Sequence, residues 1–315
     1  MSILDAIIQG LVQGLTEFLP VSSSGHLTIA QHILGITENN IFLNVLLHLG
    51  TLIAVCFFYY KLLWRLILET GTLVKDIFTK KFKWQNRNFN QNLIFMLIIG
   101  LFPLFLLFLP IPFTDLKFKD LADILTQDKY LIFVGFSLIA TSILLTLGMK
   151  ANKKTNDIYQ KKGLMRNRND GGRKRFNILD ALVVGTVQFI AAIFPGLSRS
   201  GSTLSAGEMR GIHKQTALDY TFVLAIPSIL AAAVLELKDA LDTTAYVEIN
   251  IVSLIIGVIV SAVTGFFAII LFKWLLKTNK MYIFIIYTAL IGLIILIISI
   301  IELKNGMNIF TETTF

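Results

Sequence analysis

Six long apolar runs, at roughly 41–60, 93–111, 130–149, 216–237, 247–272 and 281–302, constrain this chain more than any other feature. Each is long enough to cross a bilayer, which takes about 17–25 helical residues. Inside lipid every backbone N–H and C=O needs an internal partner, and runs of this length meet that demand as helices. Composition agrees: 55% of residues are hydrophobic, 15% are charged, and mean hydropathy is +0.73. A soluble domain carries about 25% charged residues to build its polar shell. Soluble two-domain, disordered, nucleic-acid-binding and small disulfide-stapled classes are therefore excluded. The lone cysteine, Cys56, has no partner for a disulfide. The opening MSILDAIIQG lacks the basic region of a cleavable signal.

The segments between the runs alternate in charge. Residues 61–92 and 273–280 are basic, as is 150–176, whose ten Lys and Arg against two Asp equal the whole net charge of +8. Residues 112–129 carry Asp115, Asp120, Asp123 and Asp128, and 238–246 are acidic or neutral. Lys and Arg collect on the cytoplasmic side, so every run crosses once and the C-terminus falls outside. The basic segments are expected to be solvated cytoplasmic loops that meet anionic lipid heads. The whole of 1–315 reads as one all-α, multi-pass domain of the cell inner membrane.

Two stretches do not fit one crossing each. Residues 3–34 and 178–209 each hold an apolar half, a Pro, a Ser/Gly cluster and a second short half. Counting crossings makes both enter and return, as re-entrant helical hairpins. They are also related: ILDAIIQGLVQGLTEFLP and ILDALVVGTVQFIAAIFP match at 8 of 18 positions, including Asp5/Asp180, Gly10/Gly185, Gln13/Gln188 and Pro20/Pro195. Chance likeness of apolar helices explains shared Leu and Val, but not shared Asp, Gln and Pro. Each hairpin is followed by three runs, and an odd number of crossings inverts the second copy. The expectation is two inverted-topology repeats, 1–149 and 177–315, joined by the basic loop 150–176. Together they hold six full spans and four half helices, with the site at the repeat interface.

The hairpin tips carry the chemistry. Ser and Gly precede the short helices expected at about 25–34 and 202–210, and such helix N-termini favour anions, phosphate especially. Arg199 adds a planar charged fork suited to phosphate oxygens. Gln13 and Glu17 stand at i and i+4 on one helix face, and Ser22, Ser23, Ser24 and His26 follow closely. A hydroxyl or imidazole nucleophile, a carboxylate and an imidazole acid/base are the parts of phosphoryl transfer through a covalent intermediate. Serine and histidine both remain open as the nucleophile. The second repeat has Ala192 in place of Glu17, so the first specialises in acid/base work and the second in binding. His48 reads as a buried hydrogen-bonder, and Glu208 with Arg210 as a solvated pair. Pro103 and Pro227 are expected to kink their spans. His32 and His213 fall near helix ends, and no HExxH or CxxC spacing occurs.

QGLTEFLPVSSSGHL at 13–27 and FPGLSRSGST at 194–203 resemble the two signature motifs of the bacterial undecaprenyl-diphosphate phosphatase family, the bacitracin-resistance proteins. HLGTLIAV at 48–55 and FVLAIPS at 222–228 resemble further family segments. The resemblance implies a membrane enzyme that hydrolyses undecaprenyl diphosphate to the monophosphate and inorganic phosphate. That activity recycles the lipid carrier of cell-wall synthesis and confers bacitracin resistance. It implies Glu17 and His26 as catalytic, Ser23 as nucleophile or phosphate ligand, and Arg199 as the diphosphate clamp. Gln13, Ser22, Ser24, Gly25, Ser198, Ser200, Gly201 and Thr203 complete the substrate pocket. It also implies a divalent cation, Mg2+ or Ca2+, with Glu17 as a ligand; no organic cofactor is expected. The active site is expected toward the outer face. The implied partners are a polyprenyl diphosphate and membrane lipids, with no nucleic acid and the oligomeric state left open. Gln13 departs from the glutamate of many members, Glu208 replaces a small or apolar residue, and the basic loop is longer than the family's. The rival reading is a transporter or flippase of a lipid-linked phosphate built on the same inverted repeat. A membrane acid phosphatase of the other common type is excluded by the lack of any Arg-Pro element.

Overall fold

Caps and prolines decide where the helices of this chain begin and end. In a computed structural model, residues 2–35, 41–127, 130–164, 171–242, 251–311 and 313 are described. Asp128, Arg166, Arg168, Asp170 and residues 243–250 lie outside them, and with these the end of the 238–246 segment and the start of the fifth run.

The first hairpin is α1 (Ile3–Phe18) and α2 (Ser23–Leu34); α3 (Ile41–Phe58) and α4 (Tyr60–Phe78) follow. Next come α5 (Phe89–Leu101), α6 (Phe118–Leu125) and α7 (Leu131–Lys161). The second hairpin is α8 (Ile178–Ile193) and α9 (Arg199–Met209), before α10 (Lys214–Asp242), α11 (Ile251–Lys277) and α12 (Tyr282–Asn305). No strand occurs among the described residues. Among the described residues, five helical segments are long and apolar enough to cross a membrane, or six if the bent α3–α4 pair forms one.

The matched halves of the hairpins share their starts. Ser2 accepts from the Asp5 backbone N–H while Asp5 reaches back to the Ser2 N–H, and Asn177 and Asp180 repeat this capping box. Pro103 marks a change rather than a kink: α5 gives way to a 3-10 segment, Phe102–Phe108, because proline cannot donate the next helical bond. Pro227 sits inside α10, which continues through it.

Two segments read as solvated loops are largely helical. No Gly or Pro interrupts residues 150–161, so α7 runs on to Lys161 despite its charge. Beyond it, Gly171, Gly172 and Phe176 are buried rather than solvated. Residues 60–78 form α4, which turns 81° away from α3. Its exposed Tyr60, Trp64, Ile67 and Leu68 recur at helical spacing and give it the apolar stripe of an interfacial helix.

Packing crosses between the halves. α1 lies along α11, α8 along α5, α3 against α11 and α10, and α7 against α12 and α9. At the centre Phe222 of α10 meets Phe18, Tyr59 and Phe272 edge-on, at centroid distances of 5.5, 6.1 and 5.8 Å. Such edge-to-face pairs each add about 0.5–1.5 kcal/mol beyond the area buried.

Candidate active site

The first hairpin presents a buried polar stripe. Gln9, Gln13 and Glu17 stand a turn apart on α1 at 1%, 0% and 5% exposure. The approach of α11 fixes which way the stripe faces. A Cβ on Gly14 would stand 2.6 Å from the Ser261 carbonyl oxygen, so only glycine lets the two helices lie this close. Gln9 accepts from Gln31 Nε2 at 3.0 Å, tying α1 to α2. After Pro20 the chain turns at Ser22, whose φ is 75°, and Ser22 Oγ accepts from the Gly25 N–H to cap α2. The α2 and α9 starts fall two to three residues before their expected positions, which puts Ser23–Gly25 and Arg199–Gly201 in the first turn.

The second tip is held from outside itself. Ser198 caps α9 through the Gly201 N–H at 3.1 Å. The Ser198 N–H donates to Thr141 Oγ1 at 2.9 Å, and Thr141 in turn donates to the Gly196 carbonyl. At the far end of the hairpin, Asp180 is fully buried and accepts two bonds from the Arg173 fork (2.7 and 2.9 Å) and one from Arg210 Nε at 3.0 Å. Arg210 therefore pairs with Asp180, and not with Glu208 in solvent. Glu208 is buried and accepts from Asn152 Nδ2 at 2.8 Å. The extension of α7 past the membrane run brings Asn152 there, which is why the expected solvated pair does not form.

The two tips touch. A Cβ on Gly25 would lie 2.8 Å from the Gly196 Cα, and one on Gly201 would lie 3.1 Å from the Pro20 Cβ. Ser200 Oγ donates to the Leu19 carbonyl at 3.0 Å. Glu17 lies at this junction and joins both hairpins. One carboxylate oxygen pairs with Arg199, and the other accepts from Ser23 Oγ at 2.6 Å and Gln13 Nε2 at 2.9 Å. A hydroxyl hydrogen-bonded to a carboxylate, beside a guanidinium, is the arrangement that a nucleophile, a base and an anion clamp would need.

The other expected site residues divide. His26, one turn beyond Ser23, points elsewhere: its Nδ1 is 2.8 Å from the Ser22 carbonyl and its Nε2 is 2.8 Å from the Tyr287 hydroxyl of α12. Ser24 is exposed at the tip, with its Oγ 3.3 Å from that of Ser22. Thr203 is buried, and its hydroxyl donates to the Arg199 carbonyl of its own helix at 2.8 Å, not toward the junction. Ser198 and Ser200 lie with hydroxyls 3.2 Å apart beneath Arg199.

His48 and Tyr287 are the neighbours of the candidate site that the sequence did not place there. His48 does hydrogen-bond, its Nδ1 lying 2.8 Å from the Asn44 carbonyl, but its Nε2 also stands 3.9 Å from Glu17 Oε2. The motif HLGT hinted at it; no sequence signal marks Tyr287, one of three aromatics in a largely apolar run.

No group of three or more His, Cys, Asp and Glu side chains converges among the described residues. A divalent cation therefore depends on fewer protein ligands. Gln13 Oε1 is buried and accepts no hydrogen bond, which leaves a hard oxygen beside the Glu17 carboxylate. This pair fits an oxygen-ligated cation completed by the oxygens of a diphosphate.

The family model described as bacitracin resistance protein BacA matches residues 6–294. An undecaprenyl-diphosphatase of Alkaliphilus metalliredigens is 37% identical over 95% of this chain and all of its own length. One of Halothermothrix orenii is 34% identical over 95% of this chain and 99% of its own. A third, of Methanobrevibacter smithii, is 33% identical over 96% of this chain and all of its own.

Proposed function

The chain belongs to the bacitracin resistance protein BacA family, and on that premise we propose that Glu17, Ser23 and Arg199 are the working centre of a membrane undecaprenyl-diphosphatase. The activity is that for which its relatives are named, and bacitracin resistance follows from regenerating the carrier lipid. One observation carries the assignment of residues: a single carboxylate engages a serine of one hairpin and an arginine of the other.

The reaction runs from that geometry. The terminal phosphate of the lipid diphosphate carries denser negative charge than Glu17, and draws the Arg199 fork onto its oxygens. Ser23 Oγ attacks the terminal phosphorus and passes its proton to Glu17. The bond from that phosphorus to the bridging oxygen breaks, and undecaprenyl phosphate departs with the bridging oxygen's electron pair. Glu17 gives that proton up to the departing undecaprenyl phosphate. As a carboxylate again, it takes a proton from the water that attacks the phosphoserine phosphorus, and returns it to Ser23 Oγ as the P–Oγ bond breaks and inorganic phosphate leaves. His26 lies one turn away with its ring held by the Ser22 carbonyl and Tyr287, and its proposed part is to pass a proton toward the leaving side through that Tyr287 contact. A divalent cation held by Glu17 and Gln13 would neutralise diphosphate charge when bound. The N-terminal turns of α2 and α9 add N–H donors and positive dipole ends to the anion site.

The architecture proposed is a pair of inverted repeats with six spans, basic segments in the cytoplasm of the inner membrane and the site toward the outer face. The crossed packing supports it: α1 on α11 mirrors α8 on α5, the pattern of two exchanged halves around a pseudo-two-fold axis. A lipid-linked phosphate transporter is not favoured, because a carrier has no use for a hydroxyl bonded to a carboxylate.

The test is phosphate release from undecaprenyl diphosphate by folded protein. Ser23→Ala is expected to lose about 10²-fold or more in turnover, while Ser24→Ala retains most of it. Equal activity of the two variants would overturn the assignment of Ser23.

A further inference from the structure

A cavity with cationic and apolar walls opens at the other end of α3. It encloses about 590 Å³ and lies between α3, α4, α5, α10, α11 and the segment before α8. His48 at the catalytic cluster and Phe58 at this cavity are ten positions apart on α3, about 15 Å along the helix axis. The two sites are therefore separate.

Its walls are unlike those of the active site. Five cations line it, Lys61, Arg65, Lys174, Arg175 and Lys273, with Asp219 as the one carboxylate. Asp219 is already engaged: it accepts from Tyr59 Oη at 2.6 Å, Lys273 Nζ at 2.8 Å and Gln215 Nε2 at 3.2 Å. The cavity thus carries a large positive excess. These cations come from all three basic segments, 61–92, 150–176 and 273–280, which the charge pattern assigns to the cytoplasmic side. Between the cations the wall is aromatic and apolar, with Phe58, Phe89, Leu93 and Phe176. A cavity for a free inorganic anion needs no such wall, whereas a headgroup attached to acyl chains needs both surfaces. The volume falls in the range of small-ligand pockets, about 300–1,000 Å³. At the mouth, α4 turns 81° from α3 and exposes Trp64, Ile67 and Leu68, which sets Lys61 and Arg65 at the depth of lipid phosphates.

We propose that this cavity binds the phosphate headgroup of an anionic glycerophospholipid from the cytoplasmic leaflet, with its upper acyl chains against the aromatic wall. The proposal does not depend on the reaction assigned to Glu17 and Ser23.

The full-length protein, purified in a mild detergent, is tested with phosphatidylglycerol and phosphatidylcholine, and with inorganic phosphate as the free anion. Bound lipid is counted by native mass spectrometry. Phosphatidylglycerol is expected to be retained over phosphatidylcholine, and to protect against heat where millimolar phosphate does not. Arg65→Gln/Arg175→Gln is expected to bind roughly 30-fold more weakly, at roughly fivefold per cation removed. Lys81→Gln/Lys83→Gln, which removes equal charge outside the cavity, is expected to bind as the parent does. Equal loss in both double variants, equal retention of both lipids, or full protection by phosphate alone would overturn the proposal. In the unaltered protein, a photoactivatable phosphatidylglycerol is expected to crosslink to peptides containing Phe58–Arg65 and Lys174–Phe176. Crosslinks spread evenly over the membrane helices would also overturn it, even if the Arg65/Arg175 variant failed to fold.

Discussion

Glu17 and Arg199 pair across 182 positions of sequence, and their contact joins one hairpin tip to the other. Because each holds the other in place, their losses should not add. Glu17→Gln and Arg199→Ala are each expected to lower phosphate release by about 10²–10³-fold, and the double variant to be little worse than either alone. A double-mutant cycle on turnover, with folded protein confirmed by size-exclusion chromatography, checks this. Fully additive losses would mean that the two act independently.

The close approach of the tips makes glycine necessary at Gly25. The nearest atom to an added Cβ is the Gly196 Cα at 2.8 Å, backbone that cannot swing aside. Gly25→Ala is expected to cost about 1–3 kcal/mol through overpacking and to lower the thermal unfolding midpoint in detergent. Gly71→Ala on α4 is the counterpart, with nothing within 4 Å of the new methyl. It is expected to stabilise by about 0.4–1 kcal/mol, since alanine is the better helix former.

Tyr287 tests the part played by His26. Tyr287→Phe removes one hydrogen bond to the imidazole while keeping the stacked ring 5.5 Å away. One such bond contributes about 0.5–1.5 kcal/mol, so kcat is expected to fall roughly 2- to 13-fold. The pH dependence of kcat should shift as well. A change in KM alone would make the contact structural.

Asp180 is a stability determinant remote from the chemistry. Its carboxylate gathers Arg173 and Arg210, which are 38% and 33% exposed. Asp180→Asn is expected to cost about 2–3 kcal/mol, below the range for a fully buried pair because solvent reaches both arginines. Thermal unfolding should register the loss, and turnover per folded molecule should not.

Gln13 predicts the response to metal. If its orphaned Oε1 and Glu17 hold a cation, chelation with EDTA lowers phosphate release and Mg2+ or Ca2+ restores it. Gln13→Glu adds a carboxylate and is expected to reach half-maximal activity at lower cation concentration. Unchanged cation dependence in Gln13→Glu would remove Gln13 from the site.

Much of the fold was legible because membrane burial writes plainly in sequence. Apolar runs marked long helices, and paired Asp5 and Asp180 marked two helix starts that use the same kind of capping box. Glu17 and Arg199, which the structure brings together, stood out too, since ionisable residues in apolar surroundings are costly. What escaped was pairing between distant segments. His48 looked like a satisfied histidine and is one, yet it also faces Glu17. Glu208 and Arg210 sit two positions apart and choose partners from α7 and α8 instead of each other. Charge hid the extension of α7, because a run of lysines reads as solvated whether it is coiled or helical.

The exchange of partners between halves has a consequence for biosynthesis. α1 leaves the ribosome well before α11, against which Gly14 packs and which follows some 250 residues later. At about 5–20 residues per second, the first hairpin waits tens of seconds for its neighbour. For most of that interval Glu17 lacks Arg199, and the stripe of Gln9, Gln13 and Glu17 has the partners of its own hairpin, Gln31 and Ser23, but not the α11 wall. The insertion machinery, or other helices of the first half, must shelter this stripe from lipid until the last third of the chain arrives.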